Sequence, residues 1–253
     1  MGGAKLTSNQ AANLASGLTT GLSGGDSFPV TSGAVAWWDP TRDDLMVMAT
    51  GVSSYADAIG GVTFTEGTGS QQPTLVQSAE TGHQMLSGTV AASTAMDVTN
   101  SLAEVFEAPH SIIAEVVDSG TSSARRSIVL AGNAGSTEYA YLKVGSNVGG
   151  DGATYRIKGA VIDIRAKDTT AISDSTASWV YGSQDASTAY AMMKGGALTS
   201  QALGGAVSTG LTKLTLFGAF GLEFDGYIGH IIIWNRVLTA AERNNAIAWI
   251  ESR

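Results

Sequence analysis

The chain has 253 residues, of which 43% are apolar and 14% are charged, so it is long enough to bury a sizeable core. Its 32 glycines far exceed the average share and favour short strands joined by tight turns over a helical bundle or a disordered chain. The net charge of −8 and the lack of any Lys/Arg run argue against nucleic acid or an anionic membrane as a partner. Cysteine is absent, which excludes disulfides and thiolate metal sites.

Residues 1–28 differ in composition from the rest, being poor in aromatic and β-branched side chains. Leu14, Leu18 and Leu22 recur every four positions and would line one face of a short helix, although two intervening glycines weaken it. The segment is either an arm that orders against a partner or a frayed tail. We expect an arm or anchor over 1–28 and one domain over 29–253.

Short apolar segments separated by turn residues fill the chain after residue 28. Side chains alternate within several of them, and clusters of glycine with Ser, Asn, Asp or Lys lie between them. This pattern predicts an all-β, antiparallel two-sheet jelly-roll sandwich. The predicted strands are Ala34–Trp38, Val62–Thr65, Ser111–Val117, Ser127–Ala131, Tyr139–Val144, Thr154–Lys158, Val161–Ala166, Ser178–Tyr181, Ala189–Met193, Lys213–Phe217 and Tyr227–Trp234.

A helix is predicted at the C-terminal end of the chain. Thr239 and Glu242 have the T-x-x-E spacing of a capping box, in which each side chain binds a backbone N–H group of the first turn. Ala246, Ile247 and Ile250 then form an apolar face. We expect this short helix to pack on the outside of the sandwich.

The closing segment resembles the concanavalin A-like, laminin-G-type jelly roll. Residues 224–243, FDGYIGHIIIWNRVLTAAER, are similar to the family pattern F-x-G-x-I-G-E-I-I-I-Y-N-R-x-L-T-x-x-E. The sequence departs from it at His230, where the family has an acidic residue, and at Trp234, where tyrosine is commoner.

A second stretch near the beginning of the domain carries the same resemblance. VAWWDP at 35–40, VSSYAD at 52–57 and QPT at 72–74 resemble the opening strand and following turns of bacterial and phage members. The two stretches together bracket residues 34–251. The resemblance implies one concanavalin A-like domain over most of the chain.

The fold alone leaves the function open, because relatives include lectins, glucan hydrolases, adhesion modules and virion-surface domains. Retaining glucanases of this fold use an E-x-D-x-x-E strand, which places two carboxylates on one face. Glu223 and Asp225 have the first spacing, but Ile228 occupies the position of the second glutamate. A G-x-S-x-G match at 21–25 has no preceding strand and does not predict a nucleophile. We therefore predict a non-enzymatic protein.

Metal sites have little support in the sequence. His83, His110 and His230 are scattered with no H-x-x-x-H pair, so no zinc site is predicted, and His230 is interpreted as a hydrogen-bonded histidine of the core or of a sheet face. Calcium is the alternative, because many relatives bind it through loop carboxylates, with a solvated loop as the competing interpretation. The candidate calcium ligands are Asp39, Asp43 and Asp57, with Asp44 beside them.

A sugar-binding platform needs an exposed aromatic face beside a few polar groups. Trp37 and Trp38 face opposite ways in a strand, so both cannot be buried in a half-exposed sheet. Sandwich cores need aromatic side chains, and we expect most of the five tryptophans to be buried.

The chain resembles extracellular binding modules but has no signal-peptide pattern, no disulfide, no N-x-S/T acceptor and no apolar run of membrane-spanning length. A bacteriophage virion-surface protein, made in the host cytoplasm and released by lysis, reconciles these features. It would be a homo-oligomer, join other virion proteins through Leu14, Leu18 and Leu22, and contact host-surface glycans. The alternative is a bacterial carbohydrate-binding or adhesion module, and a third class is a glycoside hydrolase.

Overall fold

The structure is a computed structural model, and the secondary structure that it describes is almost entirely β. The described residues are 32–59, 62–89, 91–99, 101–119, 126–133, 135, 137–145, 152–170, 175–218 and 224–253. The predicted arm, with Leu14, Leu18 and Leu22, lies outside them, as does Glu223. The strands are β1 (Ala34–Trp38), β2 (Met46–Met48), β3 (Val52–Ala56), β4 (Thr63–Thr65), β5 (Thr74–Gln77), β6 (Gln84–Gly88), β7 (Met96–Thr99), β8 (His110–Asp118), β9 (Arg126–Asn133), β10 (Tyr139–Val144), β11 (Ala153–Lys158), β12 (Asp163–Lys167), β13 (Ala177–Gln184), β14 (Thr188–Met193), β15 (Thr199–Ala202), β16 (Leu211–Leu216) and β17 (Gly226–Trp234).

The described strands form two antiparallel sheets that pack face to face. The eight-stranded sheet has the order β15-β14-β13-β8-β17-β6-β5, and β1 also pairs with β17. The nine-stranded sheet has the order β12-β11-β10-β9-β16-β7-β4-β3-β2. The remaining regular elements are 3-10 turns at Asp43–Leu45, Gly69–Gln71 and Ser101–Glu107, and the helix α1 (Ala240–Glu251). The predicted two-sheet sandwich is confirmed.

The main core lies between the two sheets, where inward side chains of both sheets meet. Phe64 and Tyr155 from the nine-stranded sheet and Trp38, Ile231 and Ile233 from the eight-stranded sheet are fully buried there. Alternate side chains on each strand point into this layer, which explains the alternation seen in the sequence.

Helix α1 covers part of the outer face of the eight-stranded sheet. Its buried residues Ala246, Ile247 and Ile250 pack against Ile232 and Trp234 of β17. The predicted capping box is present, with the Thr239 hydroxyl accepting a hydrogen bond from the Glu242 backbone N–H and the Glu242 carboxylate accepting one from the Thr239 N–H. No helix in the described ranges is long and apolar enough to cross a bilayer.

Burial of both neighbouring tryptophans corrects one premise of the sequence analysis. Trp38 faces the inter-sheet core and Trp37 faces the opposite way, yet their relative exposures are 0% and 3%. Trp37 is buried because the outer face of the sheet is covered by α1 instead of being half-exposed. Trp179 and Trp234 are buried too, which confirms that most of the tryptophans are internal.

All eleven predicted strands are present among the described residues, two of them (β1 and β10) with the predicted ends and nine with shifted ends, and six further described strands are not predicted by the sequence. β12 starts at Asp163 instead of Val161, whose side chain is 82% exposed in the preceding turn. The six missed strands are three to five residues long and mostly lack a run of β-branched or aromatic residues. They are β2, β3, β5, β6, β7 and β15.

A buried histidine joins the end of β8 to the facing sheet. His110 is fully buried, with its Nδ1 2.7 Å from the Ala108 carbonyl and its Nε2 2.6 Å from the Tyr155 hydroxyl. Because Nδ1–H donates to the carbonyl, Nε2 is left to accept from Tyr155 in the neutral ring. Burial lowers the pKa of His110 to about 4.

We predict that His110 makes the protein lose stability as the pH falls from 6.5 towards 4. The unfolded chain binds a proton at this histidine below pH 6.5, whereas the folded chain does so only near pH 4. This difference in pKa corresponds to about 3 kcal/mol in the free energy of unfolding. The contribution is present in full above pH 6.5 and is lost as the pH falls through the pKa of His110 in the folded chain. Urea unfolding at several pH values measures it. His110→Gln should flatten the pH dependence over this interval, and equal slopes in the two proteins would refute the assignment.

Candidate functional site

The candidate site begins at an irregularity in the central strand β17. Ile228 pairs with Val116 and Ile231 pairs with Ala114, so Gly229 and His230 together face the single residue Glu115 on β8. This is a β-bulge, in which an extra residue re-aims the following side chains. The bulge places His230 on the outer face of the sheet, on the same side as Ile232 and Trp234.

Glu115 is a carboxylate in a strand that is otherwise apolar around it. Its side chain is 5% exposed and points to the outer face, since Ala114 and Val116 face the inter-sheet core. The His230 backbone N–H donates to its Oε2 at 3.2 Å. Gly229 leaves the space that this carboxylate fills, because a Cβ at 229 would lie 2.8 Å from Glu115 Cδ.

His83 reaches the same place from a neighbouring hairpin. The turn between β5 and β6 is closed by a hydrogen bond from the Ser78 N–H to the His83 carbonyl, and Gly82 adopts a positive φ of 77° within it. The turn delivers His83 immediately before β6, with Nε2 3.1 Å from Glu115 Oε2. The rings of His83 and His230 lie 5.5 Å apart, centroid to centroid.

The turn after β1 brings an aspartate to the other side of His230. Asp39 Oδ1 accepts from both the N–H and the hydroxyl of Thr41, which fixes the carboxylate in the turn. The same oxygen lies 3.5 Å from His230 Nδ1, and the Trp37 indole N–H donates to that nitrogen in an equally long contact of 3.5 Å. His230 is 1% exposed, and its Nε2 has no hydrogen-bond partner.

The end of α1 closes the remaining side. Trp249 packs edge-on against Trp37, with ring centroids 5.5 Å apart, and against His230 at 5.0 Å. The Arg253 guanidinium lies over the Trp249 ring, 4.4 Å from its centroid, as in a cation–π contact. Trp179 holds this end of the helix in place by donating its indole N–H to Glu251 at 3.0 Å.

The two histidines of the site have different electrostatic environments. The hydrogen bond to Glu115 raises the pKa of His83, with partial burial acting against it. Burial lowers the pKa of His230, and Asp39 and Glu115 oppose part of that effect. At neutral pH, His83 therefore favours its charged form more than an ordinary histidine does, while His230 favours the neutral ring.

These residues line a cleft of about 270 Å³, just below the usual range for small-molecule sites. The lining is mainly polar and charged around one indole ring, which suits a polar ligand with many hydroxyl groups. The lining residues are Trp37, Asp39, Thr41, Arg42, His83, His230 and Arg253.

The predicted calcium ligands do not come together in the described part of the chain. Asp39 belongs to the cleft, Asp43 is exposed in the 3-10 turn that follows, and the Asp57 carboxylate accepts from the backbone N–H groups of Ile59 and Val62 at 2.6 and 2.7 Å. Asp44 forms an ion pair with Arg42. Calcium binding stays a prediction that this arrangement does not favour.

The sequence analysis did not predict that two of the three histidines lie together in one site. Among the described residues, one group of three side chains could hold a metal ion, with ligand atoms within 4.8 Å of one another. Its members are His83, Glu115 and His230. They lie on three chain segments that only the sheet brings together, so no local spacing reveals them. The available signals were the departure from the family pattern at His230 and the carboxylate of Glu115 in the middle of the apolar part of β8. His230 was interpreted as a hydrogen-bonded histidine of the core or of a sheet face; it is buried on a sheet face, but its Nδ1 has only a 3.5 Å contact with the Trp37 N–H and its Nε2 has no partner.

Comparison with solved structures identifies the fold class. Trypanosoma rangeli sialidase, in a complex with 2,3-difluorosialic acid, aligns with 96% of this chain at 11% identity and a TM-score of 0.59, and the chain spans 38% of that protein's length. Domain 4 of AbnA, a GH43 extracellular arabinanase from Geobacillus stearothermophilus solved with arabinotriose, aligns over 84% of this chain and 97% of its own at 11% identity and a TM-score of 0.58. No family profile and no curated protein matches the sequence. The chain therefore has a lectin-type β-sandwich fold.

We predict that Gly229→Ala disrupts the site by displacing Glu115. The new Cβ would also lie 3.0 Å from Met85 Cε, so the side chains of Glu115 and Met85 must both shift, and overpacking of this kind costs about 1–3 kcal/mol in the free energy of unfolding. As Glu115 moves away, the pKa of His83 should fall towards its ordinary value. Urea unfolding and a histidine NMR titration measure the two effects.

The matched control for this variant is Gly67→Ala, because a Cβ at 67 meets no atom within 4 Å. It should leave both the stability and the pKa of His83 unchanged. If the two alanine variants behave alike, Gly229 does not hold the carboxylate in place.

Proposed function

We propose that this chain is a carbohydrate-binding domain and that the cleft beside the end of α1 holds the sugar. The observation that carries the proposal is the cleft itself, which is lined by the hydrogen-bonding side chains of Asp39, Thr41 and Arg42 and by Trp37, on a lectin-type sandwich. Because Trp37 is only 3% exposed, the cleft would hold a sugar mainly through hydrogen bonds to its hydroxyl groups, with little stacking on the indole ring.

The fold comparison supports the same class. AbnA domain 4, solved with arabinotriose, is a separate domain that is nearly fully covered by the alignment, whereas the sialidase is much longer than this chain. A similarity at 11% identity supports a shared fold, and the binding of a saccharide by this chain is our inference from the cleft. The cleft and the shared fold together favour the carbohydrate-binding alternative over the virion-surface interpretation. They give no support to a laminin-G-type domain of a phage protein in particular.

We further propose that the domain binds sugar without hydrolysing it. Ile228, at the position where a glucanase strand would carry its second glutamate, is fully buried in the inter-sheet core. Among the described residues, Asp39 lines the cleft and is held by Thr41, and Glu115, which contacts the cleft residues His83 and His230, is held by the His83 ring and the His230 N–H. Carboxylates fixed in this way are poorly placed to act as a nucleophile and an acid on a glycosidic bond.

The binding test uses affinity electrophoresis through gels that contain soluble polysaccharides, with arabinan, β-glucans and sialylated glycans in the panel. The full chain should be retarded by at least one of them. Arg42→Ala removes a rim side chain that is 36% exposed, and it should weaken binding by about tenfold, which corresponds to 1.4 kcal/mol.

The matched control is Arg165→Ala on β12. Its side chain is 33% exposed and contacts an aspartate, as Arg42 does, but it lies on the other sheet. It should bind as tightly as the unmodified chain. An equal loss of polysaccharide binding in both variants would show that the sugar does not bind in the cleft. If no polysaccharide retards the unmodified chain, the proposed function is contradicted.

We predict that the same polysaccharides are not cleaved. The physical reason is the absence of a free, correctly spaced pair of carboxylates among the described cleft residues. Reducing-end assays after prolonged incubation should show no release above the background of a buffer control. Turnover that disappears in Glu115→Gln would instead make this carboxylate part of a catalytic site.

A further inference from the structure

The floor of the cleft contains an arrangement that sugar binding alone does not require. His83, Glu115 and His230 offer two ring nitrogens and a carboxylate oxygen within 4.8 Å of one another. Each residue comes from a different segment of the eight-stranded sheet, and the third is aimed by the bulge at Gly229. The described residues contain one further histidine, His110, whose two nitrogens already have partners at 2.7 and 2.6 Å.

The buried nitrogen of His230 is the strongest indication of a missing ligand. Its Nε2 is buried and has no hydrogen-bond partner, and an unsatisfied buried polar atom costs about 1–3 kcal/mol. The other ring nitrogen, Nδ1, lies 3.5 Å from Asp39. While Trp37 donates to Nδ1, the proton of the neutral ring lies on Nε2; binding of an ion through Nε2 would move that proton to Nδ1, where Asp39 accepts it, which is the usual state of a metal-binding imidazole.

We propose that His83, Glu115 and His230 form a binding site for a divalent transition-metal ion, with zinc as the preferred metal. The His83 Nε2 to Glu115 Oε2 distance of 3.1 Å is close to the separation of about 3.4 Å between two ligands of a tetrahedral zinc ion. The ion would replace the proton that these two groups now share. Bringing the third ligand atom from as much as 4.8 Å to the same spacing requires a side-chain movement of up to about 1.4 Å.

The donor set decides the class of metal. Two imidazoles and one carboxylate suit zinc and its neighbours in the first transition series, whereas calcium takes six to eight oxygen ligands. Three protein ligands leave a fourth position open. Because His83 and His230 line the cleft, that position faces the cleft, which also gives the ion a route of entry.

Asp39 acts in this site as a positioning residue and not as a ligand. It is absent from the group of mutually close ligand atoms, and it lies 3.5 Å from Nδ1 of His230, the ring nitrogen other than the unpartnered Nε2. Carboxylates in this position fix the tautomer and the orientation of the imidazole, and their loss typically lowers metal affinity 10–100-fold. The residue assigned to calcium on sequence grounds thus has a role in the histidine site.

The test measures metal binding to the untagged full-length chain without any sugar, so that its outcome is independent of carbohydrate binding. The metal-free protein is titrated with Zn²⁺ by calorimetry, and the bound metal is counted after gel filtration. We expect one zinc ion per chain. His83→Gln and His230→Gln should each weaken binding at least 100-fold, and Asp39→Asn should weaken it 10–100-fold.

The matched control is Asp43→Asn, which removes an exposed carboxylate from the same turn region and should bind zinc like the unmodified chain. A second measurement on the unmodified chain covers the possibility that a histidine variant fails to fold: Co²⁺ should give the strong visible absorption of a four- or five-coordinate ion. Failure of the chain to retain zinc, undiminished binding by folded His83→Gln, or a weak six-coordinate cobalt spectrum would each overturn the proposal. Calcium binding without zinc binding would overturn it as well.

Discussion

The hydrogen bonding of β17 on both edges determines how the rest of the sheet is arranged. One edge pairs with β8, and the other is divided between β6 and β1. Ile231 and Ile233 face the inter-sheet core, while Ile232 and Trp234 face α1. A shift of one residue would exchange these two sets, so the register is strongly specified. The bulge at Gly229 is fixed by the same constraint.

The polar site exists because the bulge interrupts an otherwise apolar layer. Under α1 the outer face is packed with aromatic and aliphatic side chains, but beyond the end of the helix Glu115 and His230 are buried beside the half-buried His83. A buried carboxylate is tolerated only when it is paired, and replacing such a cluster with apolar residues is often neutral or stabilising. Stability alone does not explain this cluster, which is why we propose a ligand for it. The same buried residues support both the proposed metal site and the cleft above it.

Local features of the fold could be predicted, and features that depend on tertiary pairing could not. The capping box at Thr239 and Glu242 is contained within one helical turn, and strands such as Ala34–Trp38 and Tyr139–Val144 carry their own apolar pattern. The hairpin that presents His83 has glutamines at both strand ends and gives a weak strand signal. Glu115 is 32 residues from His83 and 115 from His230 in the chain, so only the finished sheet brings the three together. The burial of Trp37 was not predicted because it depends on α1, which is far away in the chain, covering the outer face of the sheet.

The central claim is that the bulge in β17 builds a saccharide-binding cleft on the outer face of the eight-stranded sheet. Chemical-shift mapping of the tryptophan indole N–H signals during titration with a bound oligosaccharide tests it most directly. Trp37 lines the cleft, while Trp38 lies on the opposite face of the same strand and Trp234 is buried under α1. The account predicts a large shift for Trp37 and little change for Trp38 and Trp234. An unshifted Trp37 indole signal, together with shifted backbone amide signals in the nine-stranded sheet, such as that of Tyr139, would contradict this prediction.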